Sequence, residues 1–444
     1  MATFENDDQV KQQQPQQQRT IKVTSTDVPN LSERAMWSSG NITVSTPVQC
    51  NSYGSYHIST TLVSSDKVLV CYSNVNNNDY LYAQILTISG TTITASTLVQ
   101  CNSYSSSYIS TTLVSSDKVL VCYRNGNNGY RYAQILTISG TTITASTPVQ
   151  CNSNNFHYIS TTLVSSDKVL VCYRNVSNND RLYVQILTIS GTTITASTLV
   201  QCNSYSSDFI STTLVSSDKV LVCYCNGSNN GYLYAQILTI SGTTITASTP
   251  VQCNSYYSYY ITTTLVSSDK VLVCYRNDSN NYYLYAQILT ISGTTITVST
   301  PVQCNGYNSD YITTTLVSSD KVLVCCRNVS NNYYLYAQIL TISGTTITAS
   351  TPVQCNSYSS DFISTTLVSS DKVLVYYRNS SNNGYLYAQI LTISGTTITA
   401  STPVQCNSYN SYYITTTLVS SDKVLVCYRN NSNNSYLYAQ IITG

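Results

Sequence analysis

The residues of this chain that could do chemistry in sets are its tyrosines, cysteines, aspartates and arginines. There are 41 Tyr and 17 Cys against 2 His, and the only Glu residues, Glu5 and Glu33, precede everything periodic. Paired-carboxylate hydrolysis would therefore fall to Asp. Asp66, Asp117, Asp167, Asp218, Asp269, Asp320, Asp371 and Asp422 all sit in one repeated phrase, Ser-Ser-Asp-Lys, which is turn chemistry. Asp79, Asp180, Asp208, Asp278, Asp310 and Asp361 are scattered, and no stretch gathers a Ser/His/Asp or Cys/His set of its own. His57 and His157 lack ligand spacing and the Cys recur singly, so no metal site is expected, and both His read as solvated polar residues. These observations point to a protein that is not an enzyme and uses no cofactor or metal.

Recognition chemistry is better supplied. Two kinds of segment vary along an otherwise uniform chain, and both are built from Tyr, Asn, Ser and Gly. The first kind carries Tyr53, Tyr56, Tyr104, Tyr108, Tyr205, Tyr256, Tyr259, Tyr307, Tyr358, Tyr409 and Tyr412. The second carries Asn77, Asn128, Asn179, Asn230, Asn281, Asn332, Asn383 and Asn434. Tyr offers amphipathic contact area at low entropy cost, and Ser and Asn offer adaptable hydrogen bonds; antibody paratopes use the same set. Arg124, Arg174, Arg276, Arg327, Arg378 and Arg429 precede the second segment, with Ser73 and Cys225 as exceptions. Such a set of guanidinium groups suits carboxylates or acidic sugars.

The elements that must position these residues follow from repetition. Leu-Val-Ser-Ser-Asp-Lys-Val-Leu-Val occurs eight times, spaced by 51 residues in six intervals and 50 in one. Each copy reads as four strands: Ile58 to Val63, Lys67 to Tyr72, Leu81 to Ile88 and Thr92 to Gln100. All are rich in β-branched and aromatic residues, and Ser64-Ser65-Asp66 and Ser89-Gly90 suit tight hairpins. Four-stranded units at this period predict an all-β, eight-bladed β-propeller with four antiparallel strands per blade over residues 39–444. The last copy ends after its third strand, at Gln440-Ile441-Ile442-Thr443-Gly444, and the missing fourth appears ahead of the first copy as Asn41-Ile42-Thr43-Val44. The N-terminal strand is therefore expected to complete the last blade and close the ring, which removes two open edges. Alternate connections of a blade share a face, so the two variable segments are expected on one face and the two constant turns on the other.

The repeat style, Val-Leu-Val-Cys-Tyr followed by Ile-Leu-Thr-Ile-Ser-Gly-Thr-Thr-Ile-Thr, resembles the highly repetitive propellers of bacterial and bacteriophage proteins, virion- and tail-associated ones among them. The resemblance covers about nine-tenths of the chain. It implies a non-enzymatic binding or adhesion propeller, lectin-like or recognising a host surface in multivalent fashion, whose partner is a glycan or a cell-surface protein. The alternative it implies is a structural or assembly protein of a virion with no small ligand.

Composition bounds the partners. The formal charge is +1 and charged residues make up 9% of the chain, so no field steers it to nucleic acid. No apolar run is long enough for a bilayer span. The N-terminus lacks the basic and apolar regions of a secretory signal, which predicts synthesis in the cytoplasm, with virion or surface association after assembly. Residues 1–38 form a Gln-rich leader expected to be flexible and suited to attachment to a larger particle, with Trp37 as an anchor. The Cys of the second and fourth strands are separated by the third, beyond disulfide reach, and are expected to be buried thiols.

Overall fold

The computed structural model describes Trp37 and residues 41–444. Apart from Trp37, which is 1% exposed, the leader lies outside the described residues. The chain divides into two compact units, one of Ile42–Gln201 with Asn407–Gly444 and one built on Cys202–Cys406. Each contains four copies of the repeat. No helix among the described residues is long and apolar enough to cross a membrane.

The first copy shows how the sequence builds its sheet. Strands Lys67–Asn74 and Tyr80–Ser89 pair in unbroken antiparallel register from Lys67 opposite Thr87 to Asn74 opposite Tyr80. Val68, Leu69, Val70, Cys71 and Tyr72 are all fully buried, which explains why this strand shows no alternation of polar and apolar residues: both of its faces are covered. The inner strand pairs on one side, from Ser55 opposite Asn74 to Ser64 opposite Lys67. The outer strand is interrupted. Thr92–Ala95 pairs with Ser89 to Leu86, and Val99–Gln100 pairs further along with Ala83 and Tyr82. Between them Ser96 leaves the ladder. Its Oγ accepts from Ile85 N at 3.0 Å and its carbonyl accepts from Gln84 Nε2 at 2.8 Å.

The expected loop from the fourth strand to the next copy is absent in six of the eight junctions. There the chain runs as one strand, such as Val48–Ser64 and Val99–Ser115, which edges one sheet with its first half and forms the innermost strand of the next with its second. Asn102 sits where the strand passes from one sheet to the next. Its Oδ1 accepts from Leu81 N at 3.1 Å, and its Nδ2 donates to Ser106 Oγ at 3.0 Å, so a buried amide stands in for ladder bonds. Neighbouring sheets of one unit pack face to face: Leu69, Cys71 and Ile85 meet Val119, Val121 and Tyr123. Burying one such side chain contributes about 1.5–3 kcal/mol. All 17 Cys are buried.

In the first unit, the N-terminal strand joins the last copy, with Thr43 opposite Thr443 and Val44 opposite Ile442. Gln440 Nε2 donates to the Ser45 carbonyl at 2.9 Å, reproducing the Gln84–Ser96 bond of an internal copy. Cys50 and Ile58 share one apolar cluster with Leu425, Cys427 and Ile441.

The innermost strands carry a clasp that the repeat pattern did not announce. In six copies the middle hydroxyl of the Ser/Thr triplet inserts between two hydroxyls of the preceding copy of the same unit. Thr111 Oγ1 lies 2.8 Å from Ser59 Oγ and 2.6 Å from Thr61 Oγ1. Thr60 sits likewise against Thr415 and Thr417. In the second unit Thr263, Thr314 and Thr365 repeat the arrangement. Each bond contributes about 0.5–1.5 kcal/mol and ties sheets together at their narrow end.

Candidate binding face

In seven copies the two constant turns meet at one end of the sheet. Ile88 N donates to the Asp66 carbonyl at 2.8 Å, so the first-to-second and third-to-fourth turns lie side by side. The variable segments meet at the other end, where Gly54 N donates to Asn76 Oδ1 at 2.6 Å. The expected division of constant and variable ends therefore holds within the blade.

The variable end is organised by a bulge. In the first copy Tyr56 pairs with Ser73 and Ser59 with Cys71, so His57 and Ile58 face a single residue. The extra residue takes a left-handed backbone, with φ of +51° at His57, +50° at Tyr108, +54° at Tyr158, +52° at Phe209, +50° at Tyr260, +48° at Tyr311, +52° at Phe362 and +49° at Tyr413. This conformation favours glycine and costs about 1–3 kcal/mol for a bulky residue. All eight copies nevertheless place a ring there. In the first unit His57 lies 5.7 Å from Tyr413 and 5.8 Å from Tyr108. In the second, Tyr260 lies 6.1 Å from both Phe209 and Tyr311, and Tyr311 lies 5.6 Å from Phe362. Each unit thus carries a row of rings, the collar. The His are not solvated polar residues, contrary to expectation: His57 is half-buried in this row, and burial together with the Arg429 charge pushes its pKa down to about 4. His157 is half-buried too, 5.5 Å from Tyr108.

Of the expected site tyrosines, Tyr56, Tyr108, Tyr259 and Tyr412 belong to the collar. Tyr158, Tyr260, Tyr311 and Tyr413 belong to it as well and were missed. Their signal is a ring residue before an Ile in every copy, from His57-Ile58 to Tyr413-Ile414. Tyr104, Tyr205, Tyr256, Tyr307, Tyr358 and Tyr409 sit elsewhere, against Tyr132, Tyr234, Tyr285, Tyr336, Tyr387 and Tyr438 at 5.1–5.9 Å. Tyr53 is exposed, its backbone N donating to Asn51 Oδ1.

The Asn set divides in two, because one loop is a residue shorter and the copies do not align by counting. Asn77 donates to Tyr82 Oη at 2.7 Å, and that hydroxyl donates to Gln100 Oε1 at 2.9 Å. Asn128 approaches Tyr132 Oη at 3.5 Å, and the same triad closes the last copy through Asn433, Tyr438 and Gln49. Asn179, Asn230, Asn281, Asn332, Asn383 and Asn434 instead occupy a left-handed turn position, φ +47° to +51°, which Asn tolerates well. Their backbone role is structural.

The arginines are not an open row either; the chain's own acids and rings meet them. Arg276 binds Asp278 through two bonds of 2.6 and 2.9 Å. Arg327 binds Asp310 at 2.7 and 2.6 Å and also Asp361, which Arg378 approaches at 3.3 Å. Arg174 pairs with Asp180 at 3.3 Å, and Arg124 donates to Asn155 Oδ1 at 3.1 and 3.0 Å. The guanidinium groups also lie on rings: Arg276 on Tyr260 and Tyr282, Arg327 on Tyr311 and Tyr333, Arg429 on Tyr56, Tyr412 and Tyr413. Tyr282 and Tyr333 are 44% exposed, so a flat ring backed by a cation faces outward in two adjacent copies. Among the described residues Arg429 has no carboxylate partner, and burial lowers its pKa.

Ser73 breaks this pattern. Where six copies have Arg, it leaves a cavity of about 290 Å³ lined by Tyr56, His57, Val75, Asp79 and Ser105 to Ser107. At Cys225, the other exception, the thiol donates to the Gly231 carbonyl and the Phe209 ring packs on Tyr259 at 4.6 Å.

The turn aspartates bond to their neighbouring Lys and Ser, as Asp66 does to Lys67 and Ser64. Burial pushes the Cys50, Cys101 and Cys304 thiols up to about 12, far from a thiolate at neutral pH. Among the described residues, no group of three His, Cys, Asp or Glu could hold a metal.

No family model and no curated protein matches the chain. Solved structures do. Sqt1 from Chaetomium thermophilum superposes with a TM-score of 0.58 at 6% identity, over 89% of this chain and 99% of that one. A second structure of it, bound to the N-terminus of the ribosomal protein L10, gives the same TM-score over 88% and 98%. The WD40 domain of SCAP from fission yeast gives 0.51 at 8% identity, over 90% and 98%. The likeness is to propeller domains and supports an all-β repeat-propeller fold.

Proposed function

We propose that this chain is a non-enzymatic recognition propeller, its eight copies closed into one ring of eight blades, and that it binds a protein partner across the collar face. The observation that carries this reading is the ring residue retained at a glycine-favouring φ in every copy. Backbone strain kept in eight places needs a use for the side chain, and loops on a rigid scaffold are where binding resides. Ring closure is supported by the N-terminal strand, which supplies the last copy with the outer strand, the Gln49 contact and the core residues of an internal one. A protein partner is supported by Sqt1, which holds the N-terminus of another protein on the same fold.

A second reading, multivalent glycan recognition at a cell surface, is favoured by the exposed Tyr282 and Tyr333, which repeat at identical φ of +62° beside amides. Presentation on a larger particle through residues 1–38 would add avidity to either reading. The test is to offer the whole chain to arrays of glycans and of cell-surface proteins, beside Tyr260→Gly and Tyr311→Gly. Either variant should lose at least tenfold in affinity for the partner found. Unchanged affinity in both overturns the collar as the binding face.

A further inference from the structure

We propose that the cavity at Ser73 is a slot for the guanidinium of an arginine side chain presented by a partner protein. The inference rests on reading the collar face as the binding face and names the group that face takes at one position. Copy one and copy three are the decisive pair. Asp79 and Asp180 occupy the same loop position, both at φ +59°. In copy three Arg174 fills the space beside the acid, pairs with Asp180 at 3.3 Å and lies over the Tyr158 ring at 5.2 Å. In copy one the arginine is replaced by Ser73, which is 1% exposed and contributes a single hydroxyl, 3.4 Å from Asp79 Oδ1. Acid, rings and space remain; only the cation is missing. The cavity, about 290 Å³, is roughly ten times the share of one water and ample for a guanidinium with part of its stem.

The walls have the chemistry that holds guanidinium groups elsewhere in this molecule. Tyr56 and His57 line the slot, and their counterparts Tyr259 and Tyr260 lie 5.4 and 4.8 Å from Arg276. Burial raises the Asp79 pKa, and the long bond from the Ser73 hydroxyl opposes that only in part. The neighbouring cation is Arg429, which stacks on Tyr56 at 4.0 Å; burial, helped by the Arg429 charge, keeps His57 neutral, so no protonated imidazole competes for Asp79 at neutral pH. A planar, delocalised cation both stacks and donates in parallel; an ammonium does only the second. Cys225 offers no equivalent site, since Gly231 stands where Asp79 would be.

The test titrates the full chain with Nα-acetyl-L-arginine amide and its citrulline and lysine counterparts, followed by calorimetry and by shifts of the His57 ring in NMR. The arginine amide should bind in the millimolar range, with both counterparts about tenfold weaker or worse. Ser73→Arg should fill the slot, abolish the binding and raise the melting temperature; Asp79→Asn should weaken binding about tenfold and leave the melting temperature alone. Citrulline or lysine binding as well as arginine, or full binding by a folded Ser73→Arg chain, overturns the proposal. If Ser73→Arg does not fold, Asp79→Asn and the citrulline comparison decide it. A chain that holds its partner through the collar yet ignores the arginine amide sinks this proposal alone.

Discussion

The two ends of each sheet solve the same backbone problem differently. At the constant end, the turn needs positive φ, and the chain uses Gly90, Gly140, Gly191, Gly242, Gly293, Gly344 and Gly395, each with open space around the position a Cβ would take. At the bulge of the variable end, φ is again near +50°, yet all eight copies place Tyr, Phe or His there and none a glycine, although the neighbouring turn uses Gly129, Gly231 and Gly384 at positive φ. A turn that only has to turn takes the residue with least strain. A turn that keeps a ring at this cost, eight times over, is keeping the ring. The contrast also extends below the surface. Seven copies begin the third strand with a wholly buried Leu, such as Leu81 or Leu182, whereas copy two has Arg131, also 0% exposed. Among the described residues its guanidinium nitrogens have no oxygen acceptor; it lies beside the Cys151 thiol and over the Tyr173 ring at 4.7 Å.

Arg131 gives the sharpest way to break the comparison. A buried cation without an acceptor costs several kcal/mol even when it rests on an aromatic face. Arg131→Leu restores the residue of the other seven copies, so it should stabilise the chain by about 2–4 kcal/mol in urea unfolding. A loss of stability would show that the variable end does not retain costly residues and would remove the premise drawn from the collar.

Next in size is a matched pair of exchanges. Gly344→Ala adds a Cβ to open space at φ +62°, so it should destabilise by about 1 kcal/mol through backbone strain alone. Tyr311→Gly relieves strain of the same origin but removes the ring that meets Tyr260, Phe362 and Arg327. Its melting temperature should therefore move less than that of an ordinary buried Tyr truncation, which costs about 3–5 kcal/mol. If Tyr311→Gly falls by that full amount, the ring is there for packing.

The sequence made the scaffold legible because repetition repeats the physics. The buried Val68 to Tyr72 run, the Ser-Ser-Asp-Lys turn and the outer strand displaced to the N-terminus each have a local signature, and each is where that signature puts it. The collar was half legible. Variable segments marked the variable end, but rich Tyr/Ser composition reads as loop, whereas six of the eight junctions keep these residues in one strand, as in Val48–Ser64 and Val99–Ser115. The ring before each Ile, invariant in kind though not in identity, was hidden because variation drew attention to its neighbours. The arginines were found as a set, but which acid meets which arginine depends on contacts across strands and between copies, as in Arg327 with Asp310 and Asp361. The hydroxyl clasp depends on register between copies, and no spacing within one copy encodes it.

Acid titration separates the two ends by pH window. His57 has its pKa pushed down from 6.5 to about 4 in the folded chain, so the unfolded chain binds the proton more readily. The stability this site gives is complete above pH ~6.5 and lost as pH falls toward 4. The turn aspartates are held below their usual 3.8 by bonds from Lys and Ser, as at Asp66 and Asp167, so their stability is present above that value and lost only below it. His57→Phe should flatten the pH 4–6.5 limb of a melting-temperature profile and leave the fall below pH 3.8 in place. A limb that survives in His57→Phe would move the acid sensitivity away from the collar.

The smallest effect belongs to the constant end. The Lys67 amine meets Asp66 at 2.9 Å, but the side chains are 25% and 46% exposed, and solvent screens such a pair until little is left. Lys67→Ala should therefore leave the melting temperature at pH 7 within error, and 0.5 M salt should change the parent chain no more than the variant. The same salt applied to the collar should act differently, because Arg276 and Asp278 are about 16% and 15% exposed and joined by two bonds. Asp278→Asn leaves a half-desolvated guanidinium on Tyr260 and Tyr282 with half its acceptors neutralised, so it should lower stability where Lys67→Ala does not. Equal effects of the two would mean that charge is handled alike at both ends, and the distinction between a turn that only turns and a turn that presents side chains would then rest on the rings alone.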